Sequence, residues 1–437
     1  MKLKLKKDVC LRTNSIFQKN DLVLTLNHTN VSIQKAFDAL VEGIEEEHLE
    51  AIVDSGDTLV HFYFYIEELK KNGFLQYETP LMELIPFNGT FSPPSTVKGV
   101  YSLSRFTLIR VHEGNMVLET PLSPVRVRLT EKGFPMVHAL CQPMSVEEII
   151  FKFPHFTRNE LQDTLCLLEA GHLITSALEE TSPMAQWEFH DLFFHSRSRL
   201  GRIDTPYGGT FRFKGTLPSL PAVKHCHHLA WVNLPQPQEE LRMTLEEAIQ
   251  ERKSLRDHGI KPIQLNDLGE FLWRCARVKS KREMNDEEYT SRPYPGGGAR
   301  YELEIYLVVT ACEGLAPGVY HYHPLEHRLG KISDLNEEAH ALLQDACRSS
   351  GKKENPHILF MVAARFQRVA WKYQSMAYAL VLKDVGILIQ TMYLVATAMK
   401  LAPCALGGGD SDLFCKLVGT SYLEETSVGE FILGSLL

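Results

Sequence analysis

Two stretches about a hundred residues apart repeat one order of apolar and polar positions. Each has an apolar helix, a shorter helix, and a longer helix that stops at Gly before an apolar, strand-like run. In the first, SIQKAFDALVEGI and HLEAIVDSG precede DTLVHFYFYIEELKKNGFLQYE. This spacing predicts Asp57 as an N-cap and Gly73 as the left-handed residue past the helix end. In the second, EKGFPMVHALC and SVEEIIFKF precede TRNELQDTLCLLEAGHLITSALE, with Thr157 as the cap and Gly171 as the stop. Written one under the other, Gly73-Phe74-Leu75 falls on Gly171-His172-Leu173. Three helices closed by a short hairpin make a winged-helix outline, which serves DNA readers and peptide binders alike. The third helices carry aromatics and acids rather than a basic face, so DNA reading is not expected, and Phe62 to Tyr65 is read as core.

Between the two stretches, LIPFNGTFSPPSTVKG is rich in Pro, Gly, Ser and Thr and reads as a linker. After Trp187 a second Pro- and Gly-rich passage, TPYGGTFRFKGTLPSLPAVKHCHHLAWVNLPQPQ, has little periodicity and is expected to wrap over a surface. From about Leu241 helices and strands alternate, the signature of an α+β or α/β domain. SRPYPGGGARYELEIYLVV sets a Gly turn immediately before a β-patterned run. FMVAARFQRVAWKYQSMAYALVLKDVGILIQTMYLVATAMKL holds a long helix, and APCALGGGDSD a second Gly cluster.

The 437 residues suffice for about three domains. With 44% apolar and 23% charged residues, most of the chain can offset the entropy of ordering. A formal charge of −8 disfavours broad polyanion binding. The basic start leads into no apolar run of signal length, and later apolar stretches meet charges before spanning length, so a cytoplasmic protein off the membrane is expected. Nine cysteines without a Cys-x-x-Cys pair fit reduced, buried thiols.

Three candidate chemistries follow. Arg252-Lys253-Ser254-Leu255-Arg256 gathers cations and a hydroxyl that can hold a phosphate monoester. Glycines at Pro295 to Gly298 and Gly407 to Gly409 let backbone approach a ligand. Lys224-His225-Cys226-His227-His228 looks like a metal cluster, but consecutive ligands cannot all converge on one ion, so no metal is expected there. His321 and His323 alternate on a predicted strand, so both side chains share one face.

Five ordered blocks carry a resemblance: ERKSLR, SRPYPGGGARYELEIY, APGVYHYHPLEHRL, RVAWKYQSMAYALVLKDVGILIQ and APCALGGGDSD. They resemble nitroreductase-like flavoproteins, most closely SagB-type azoline dehydrogenases (thiazole/oxazole-forming oxidases). FFHSRSR, at Phe193 to Arg199, resembles that family's His-containing segment upstream of the flavin domain. The resemblance covers residues 191–437. It implies a nitroreductase-like FMN domain over 189–437, with APGVYHYHPLEHRL a structural hairpin; preceded by the two winged-helix-like modules read from the repeat, 1–88 and 89–188, this makes an α+β chain.

The resemblance also implies FMN bound at a homodimer interface. Arg252, Ser254 and Arg256 would contact its phosphate or ribityl chain, with Lys253 departing from the family's usual Arg. Pro295, Gly296 and Gly297 would contact the isoalloxazine or ribityl, although many relatives carry Ser at Gly296. Gly407 and Gly408 would lie against the flavin, and Gln390 on the helix beneath it. Lys372 and Tyr373 match the family's catalytic Lys-Tyr pair, for which a helix start is expected. The implied reaction is oxidation of thiazoline or oxazoline rings in a ribosomally made precursor peptide, with electrons passed to dioxygen. The front modules would dock the peptide, and a cyclodehydratase is a possible partner. Two alternatives are an NAD(P)H-dependent nitro or quinone reductase and a non-enzymatic peptide scaffold.

Overall fold

The computed structural model describes residues 1–437 except 13, 14, 19, 20, 28, 54, 55, 88–90, 177–181, 227 and 286. The chain divides into two compact units, Met1–Thr205 and Pro206–Leu437.

In the first unit the repeated order is present twice. Helices Val31–Glu42, Glu46–Ile52 and Asp57–Lys71 are followed by strands Leu75–Glu78 and Met82–Pro86. Helices Phe134–Ala139, Val146–Lys152 and Arg158–Ala170 are followed by strand Ile174–Ser176. The first set is closed by a hairpin. The second is closed differently, because Ile174–Ser176 pairs with Val100–Leu103 from upstream of its helices. One apolar core runs through both sets, joining Phe37, Phe62 and Leu69 to Leu161, Leu165 and Leu168. The cluster Phe62 to Tyr65 divides by helix face: Phe62 and Tyr65 are buried, whereas Tyr63 and Phe64 are exposed.

The caps refine the alignment of the repeats. Thr157 is the expected cap, and it forms a reciprocal capping box with Glu160, its Oγ1 accepting from the Glu160 amide at 3.2 Å. Asp57 is instead the first helical residue, and Gly56, at φ 85°, stands at the cap. At the other end Gly73 is left-handed at φ 64°, but its counterpart is His172 at φ 53°, not Gly171. The amides of Phe74 and Leu173 both reach back five residues, to Leu69 and Leu168. The structural register is therefore shifted by one from the sequence alignment. Gly171 is small for another reason: a Cβ there would press on Leu167 O and Val125, each at 3.2 Å.

The segment read as a linker is part of the core. Its first residues end the Met82–Pro86 strand, residues 88–90 lie outside the described residues, and Phe91 and Val97 are buried. Phe91 O accepts from the Tyr77 hydroxyl at 2.9 Å. The helix Phe189–Arg197, which holds most of FFHSRSR, packs within this first unit: Arg197 donates to Thr120 O at 3.3 Å.

The second unit is built on a seven-stranded sheet in which every pairing is antiparallel. Its order is Ala230–Asn233, Arg328–Ser333, Gly318–His323, Leu303–Val309, Ile358–Arg365, Glu425–Ser435 and Leu401–Leu406. The central strand ILFMVAAR is buried at all eight positions because helices cover both faces. Phe360 and Val362 face the layer containing Leu265–Ala276 and Ala377–Ala398, while Leu359 and Met361 face Glu337–Ser350 and Ser411–Val418. Ala377–Ala398, hereafter the long helix, is long and apolar enough to cross a membrane by length and composition. Within it, however, Asp384 is buried and Val381, Leu388 and Met392 join the core.

Gly133 begins the Phe134–Ala139 helix, and a Cβ there would overlap Leu81 O. That carbonyl already accepts from Thr130 and cannot move freely. Gly133→Ala is expected to destabilise the first unit by about 1–3 kcal/mol, measured as an earlier denaturant midpoint with an unchanged slope.

Candidate functional site

The turn Pro295 to Gly298 leaves the Glu287–Ser291 strand and enters the sheet at Leu303. Gly298 has φ 60°. A Cβ on it would overlap the Tyr373 hydroxyl and lie 3.0 Å from Lys372 Nζ. Thus the glycine turn and the Lys-Tyr pair, 74 positions apart in the chain, share one spot. Lys372 Nζ also lies 5.4 Å from the centre of the Phe211 ring, within cation–π reach. The pair does not begin a helix as expected. Phe366–Ala370 ends before it, Tyr373–Gln374 pairs with Gly208–Gly209, and the long helix starts four residues later. Extended backbone brings both side chains to Gly298 from either side of one peptide.

Behind the turn lies a set of buried charges that sequence reading missed. Arg300 and Arg368 are fully buried, and each Nε donates to the other's backbone carbonyl, at 3.0 and 2.8 Å. Arg300 also pairs with Glu287 at 2.6 Å and donates to Ser219 Oγ at 2.7 Å. This double link ties the glycine turn to the helix that leads into Lys372. The Gly297 amide donates inward to Asp384 at 2.8 Å, so it is not offered to a ligand, although Gly297 was expected to make a contact. Pro295 is exposed at the rim of the turn. Gly296 packs on Tyr301, whose ring would lie 3.1 Å from an added Cβ.

Glu302 and Asp384 are both buried beneath this turn. Burial pushes the Glu302 carboxyl well above the usual carboxylate range, and the Asp384 charge adds to this. Asp384 is also raised, by burial first. The pair therefore retains a proton where two separate surface carboxylates would not. Burial likewise raises the Tyr373 phenol.

The second glycine cluster approaches the same helix. Leu380 and Asp384 pack on Gly297, whereas Val385 and Ile389 pack on Gly429, next to Glu430. The Glu430 carboxylate fills the space a Gly409 side chain would need, and its own burial pushes it up to about 7. Gly407 and Gly408 are exposed, with only Ser349 near the latter. Gln390 is exposed on the long helix.

The basic block sits farther along. Ser254 and Tyr393 share a hydroxyl hydrogen bond of 2.7 Å, and the Tyr393 hydroxyl also accepts from the Ala405 amide at 2.7 Å. Nine residues separate Asp384 from Tyr393, about 14 Å of helix rise. Lys253, Ser254 and Arg256 line a cavity of about 540 Å³ with Lys352 and Lys400. Asp257 is taken by Lys352 at 2.5 Å, leaving Lys253 and Arg256 without an acidic partner among the described residues. Arg252 lies over the Tyr393 ring at 5.3 Å, and Lys253 lines the cavity. Unpaired cations beside a hydroxyl in a concave site fit the phosphate of FMN. Side-chain-free turns at Gly296 to Gly298 and Gly407 to Gly408 fit a flat ring approached by backbone.

Of the metal-like run, His227 lies outside the described residues. Cys226 and His228 are not consecutive in the chain, and each brings one ligand atom close to His321. Both reach His321 on the Gly318–His323 strand, which forms the expected hairpin with Arg328–Ser333.

Because the folded chain holds Glu302 protonated above its unfolded value of roughly 4.3, stability falls as pH rises past that point towards the folded value. Glu302→Gln removes this titration. The variant is expected to gain stability relative to the parent between pH 5 and 8, as urea midpoints at each pH would show; parallel profiles would contradict the assignment.

Comparison with known proteins adds ancestry to this geometry. Residues 249–435 match the nitroreductase family model, and residues 101–204 match that of the cyanobactin oxidase ThcOx. A protein of Methanocaldococcus jannaschii described as a nitroreductase is 30% identical over 40% of this chain and 83% of its own length. The microcin B17-processing protein McbC of Escherichia coli is 29% identical over 32% of this chain and 52% of its own. The trifolitoxin-processing protein TfxB of Rhizobium leguminosarum bv. trifolii is 28% identical over 38% and 40%. A solved structure of the E. coli microcin synthetase McbBCD complex with truncated pro-MccB17 bound is 18% identical, covering 56% of this chain and 86% of that one, with a TM-score of 0.36. The chain therefore belongs to the nitroreductase family, and within it is related to the azoline-processing oxidases.

Proposed function

We propose that the chain is an FMN-dependent oxidase that converts thiazoline or oxazoline rings in a ribosomally made peptide to thiazole or oxazole. The observation that carries this reading is the placement of Lys372 and Tyr373 against Gly298, at a turn stripped of side chains. Lys253, Ser254 and Arg256 would hold the FMN phosphate, and the backbone of Gly296, Gly407 and Gly408 would approach its ring. When bound, FMN supplies the acceptor for a hydride and passes the electron pair to dioxygen, giving hydrogen peroxide.

Aromatising an azoline removes a proton from one ring carbon and a hydride from the next. The proton is the task of this chain's own side chains. Tyr373 stays a neutral hydroxyl because burial raises its phenol, so it acts as a donor that orients the ring or relays a proton. Lys372, beside it, accepts the proton. The Arg300–Arg368 link keeps the two groups in place against Gly298.

Two surfaces support the wider reading. On the long helix Tyr378, Leu382, Gly386 and Gln390 recur every fourth residue and are exposed, an unusual face for so apolar a helix and one suited to a second copy of the chain. In the first unit, the twice-repeated order of helices and strands is read as two winged-helix-like modules that dock the precursor peptide, and a cyclodehydratase would supply the azoline. All nine cysteines are free, in keeping with a cytoplasmic setting. The kinship with a nitroreductase-described protein favours one second reading, reduction of nitro or quinone compounds by NAD(P)H.

Arg256→Glu puts a negative charge beside a phosphate, at a cost on the order of 4 kcal/mol for a contact near 4 Å. The folded variant is expected to purify without the flavin absorption of the parent, and full flavin content would remove Arg256 from the phosphate site. Lys372→Ala is expected to keep its flavin and lose about 100-fold or more in turnover of an azoline peptide. Tyr373→Phe, which keeps the ring, separates packing from proton relay. Unchanged turnover in Lys372→Ala would exclude it as the base.

A further inference from the structure

Cys226, His228 and His321 place one ligand atom each within 4.8 Å of one another. Cys226 Sγ is 3.4 Å from His321 Nδ1, and His228 Nε2 is 3.2 Å from the same nitrogen. Zinc–sulfur and zinc–nitrogen bonds of about 2.3 and 2.0–2.1 Å in a tetrahedron set ligand separations of roughly 3.3–3.6 Å. The edges to His321 Nδ1, 3.4 and 3.2 Å, lie within about 0.1 Å of that range, and the third lies within 4.8 Å.

The second ring nitrogen of His321 is accounted for. His321 Nε2 lies 3.1 Å from Glu304 Oε2, and Glu304 is itself held by Arg365 at 3.2 Å. With Nε2–H donating to this carboxylate, Nδ1 is left as a lone pair aimed at Cys226 and His228, the tautomer a metal-binding imidazole requires. Without an ion, the Cys226 thiol can turn to Lys224 O at 3.6 Å, and the His321 lone pair is left to the His228 imidazole. A cation at the centre satisfies all three.

The surroundings are shaped for the cluster. His228 lies across the Arg328–Ser333 strand at Gly330, where any Cβ would overlap its ring. Its other face meets Trp231, with ring centres 4.8 Å apart. Lys224, the nearest cation in the run, is committed to Glu425 at 2.6 Å and to the Tyr306 hydroxyl at 2.8 Å. Cys226 and His228 line a cavity of about 510 Å³, which leaves room for a fourth ligand.

We propose that Cys226 Sγ, His228 Nε2 and His321 Nδ1 bind one zinc ion, with water from the adjoining cavity in the fourth position. Thiolate with two imidazoles selects zinc over the hard cations calcium and magnesium. The ion staples the segment around Cys226 to the hairpin strand that carries His321. This site is separate from the flavin reading and stands or falls without it.

The test uses the full chain, stripped with a chelator and titrated with zinc against a chromophoric competitor at neutral pH. One equivalent is expected to bind. Cys226→Ala should weaken it at least tenfold, and Gly330→Ala should do the same by displacing the His228 ring while all three ligand residues are retained in the chain. Cys141→Ala, at an exposed cysteine in the first unit, should match the parent. Cobalt in place of zinc should give a thiolate charge-transfer band that is absent from Cys226→Ala. No binding by the parent, uptake of copper with zinc excluded, or equal zinc affinity in the parent and both site variants would overturn the proposal. Circular dichroism of each stripped variant confirms that the comparison is between folded chains.

Discussion

Two buried guanidiniums, each donating to the other's main-chain carbonyl, hold the second unit's site together. Arg300 closes the glycine turn and Arg368 belongs to the short helix before Lys372, so their exchange at 3.0 and 2.8 Å sets the spacing between turn and pair. Burying two like charges side by side is costly. The cost is offset by Glu287 on Arg300 and by the ring of carbonyl and hydroxyl acceptors that both side chains reach. Such a cluster has few other arrangements, which is what a site with sub-ångström demands requires.

On that frame, absence of side chains matters as much as their presence. Gly298 has no Cβ, and only for that reason can the Tyr373 hydroxyl and Lys372 Nζ stand where they do. Gly297 turns its amide inward to Asp384, and the Asp384–Glu302 pair keeps a proton beneath the turn. The turn thus shows a ligand its bare backbone while its polar groups are satisfied from below. The long helix joins this region to the basic block at Tyr393, about two and a half turns farther on.

Much of this was legible in the chain because it depends on local order. Glycine clusters, the run from Arg252 to Arg256 and the adjacent Lys372-Tyr373 are contiguous, and their blocks keep the order of a known family. What was not legible depends on long-range pairing. Arg300, Glu302, Arg368 and Asp384 look like ordinary charges in sequence, and only the sheet brings them under one turn. The helix ends at Glu251, and the direction that the Arg252 and Lys253 side chains take past that end is a tertiary matter. His172 occupied the left-handed position expected for Gly171, since the helix runs one residue further than the sequence alignment implied. Cys226 and His228 were set aside as part of a run whose consecutive residues cannot all converge on one ion, and their third partner, His321, lies more than ninety residues away.

The central claim is that this nitroreductase-family site takes electrons out of a peptide ring. The most direct measurement is anaerobic mixing of the flavin-loaded protein with an azoline-bearing peptide or, separately, with NADPH, while the flavin absorption is followed. The account predicts that the peptide bleaches the flavin in a single turnover, with azole formed in equal amount, and that NADPH leaves it oxidised. Rapid bleaching by NADPH with none by the azoline peptide would contradict it.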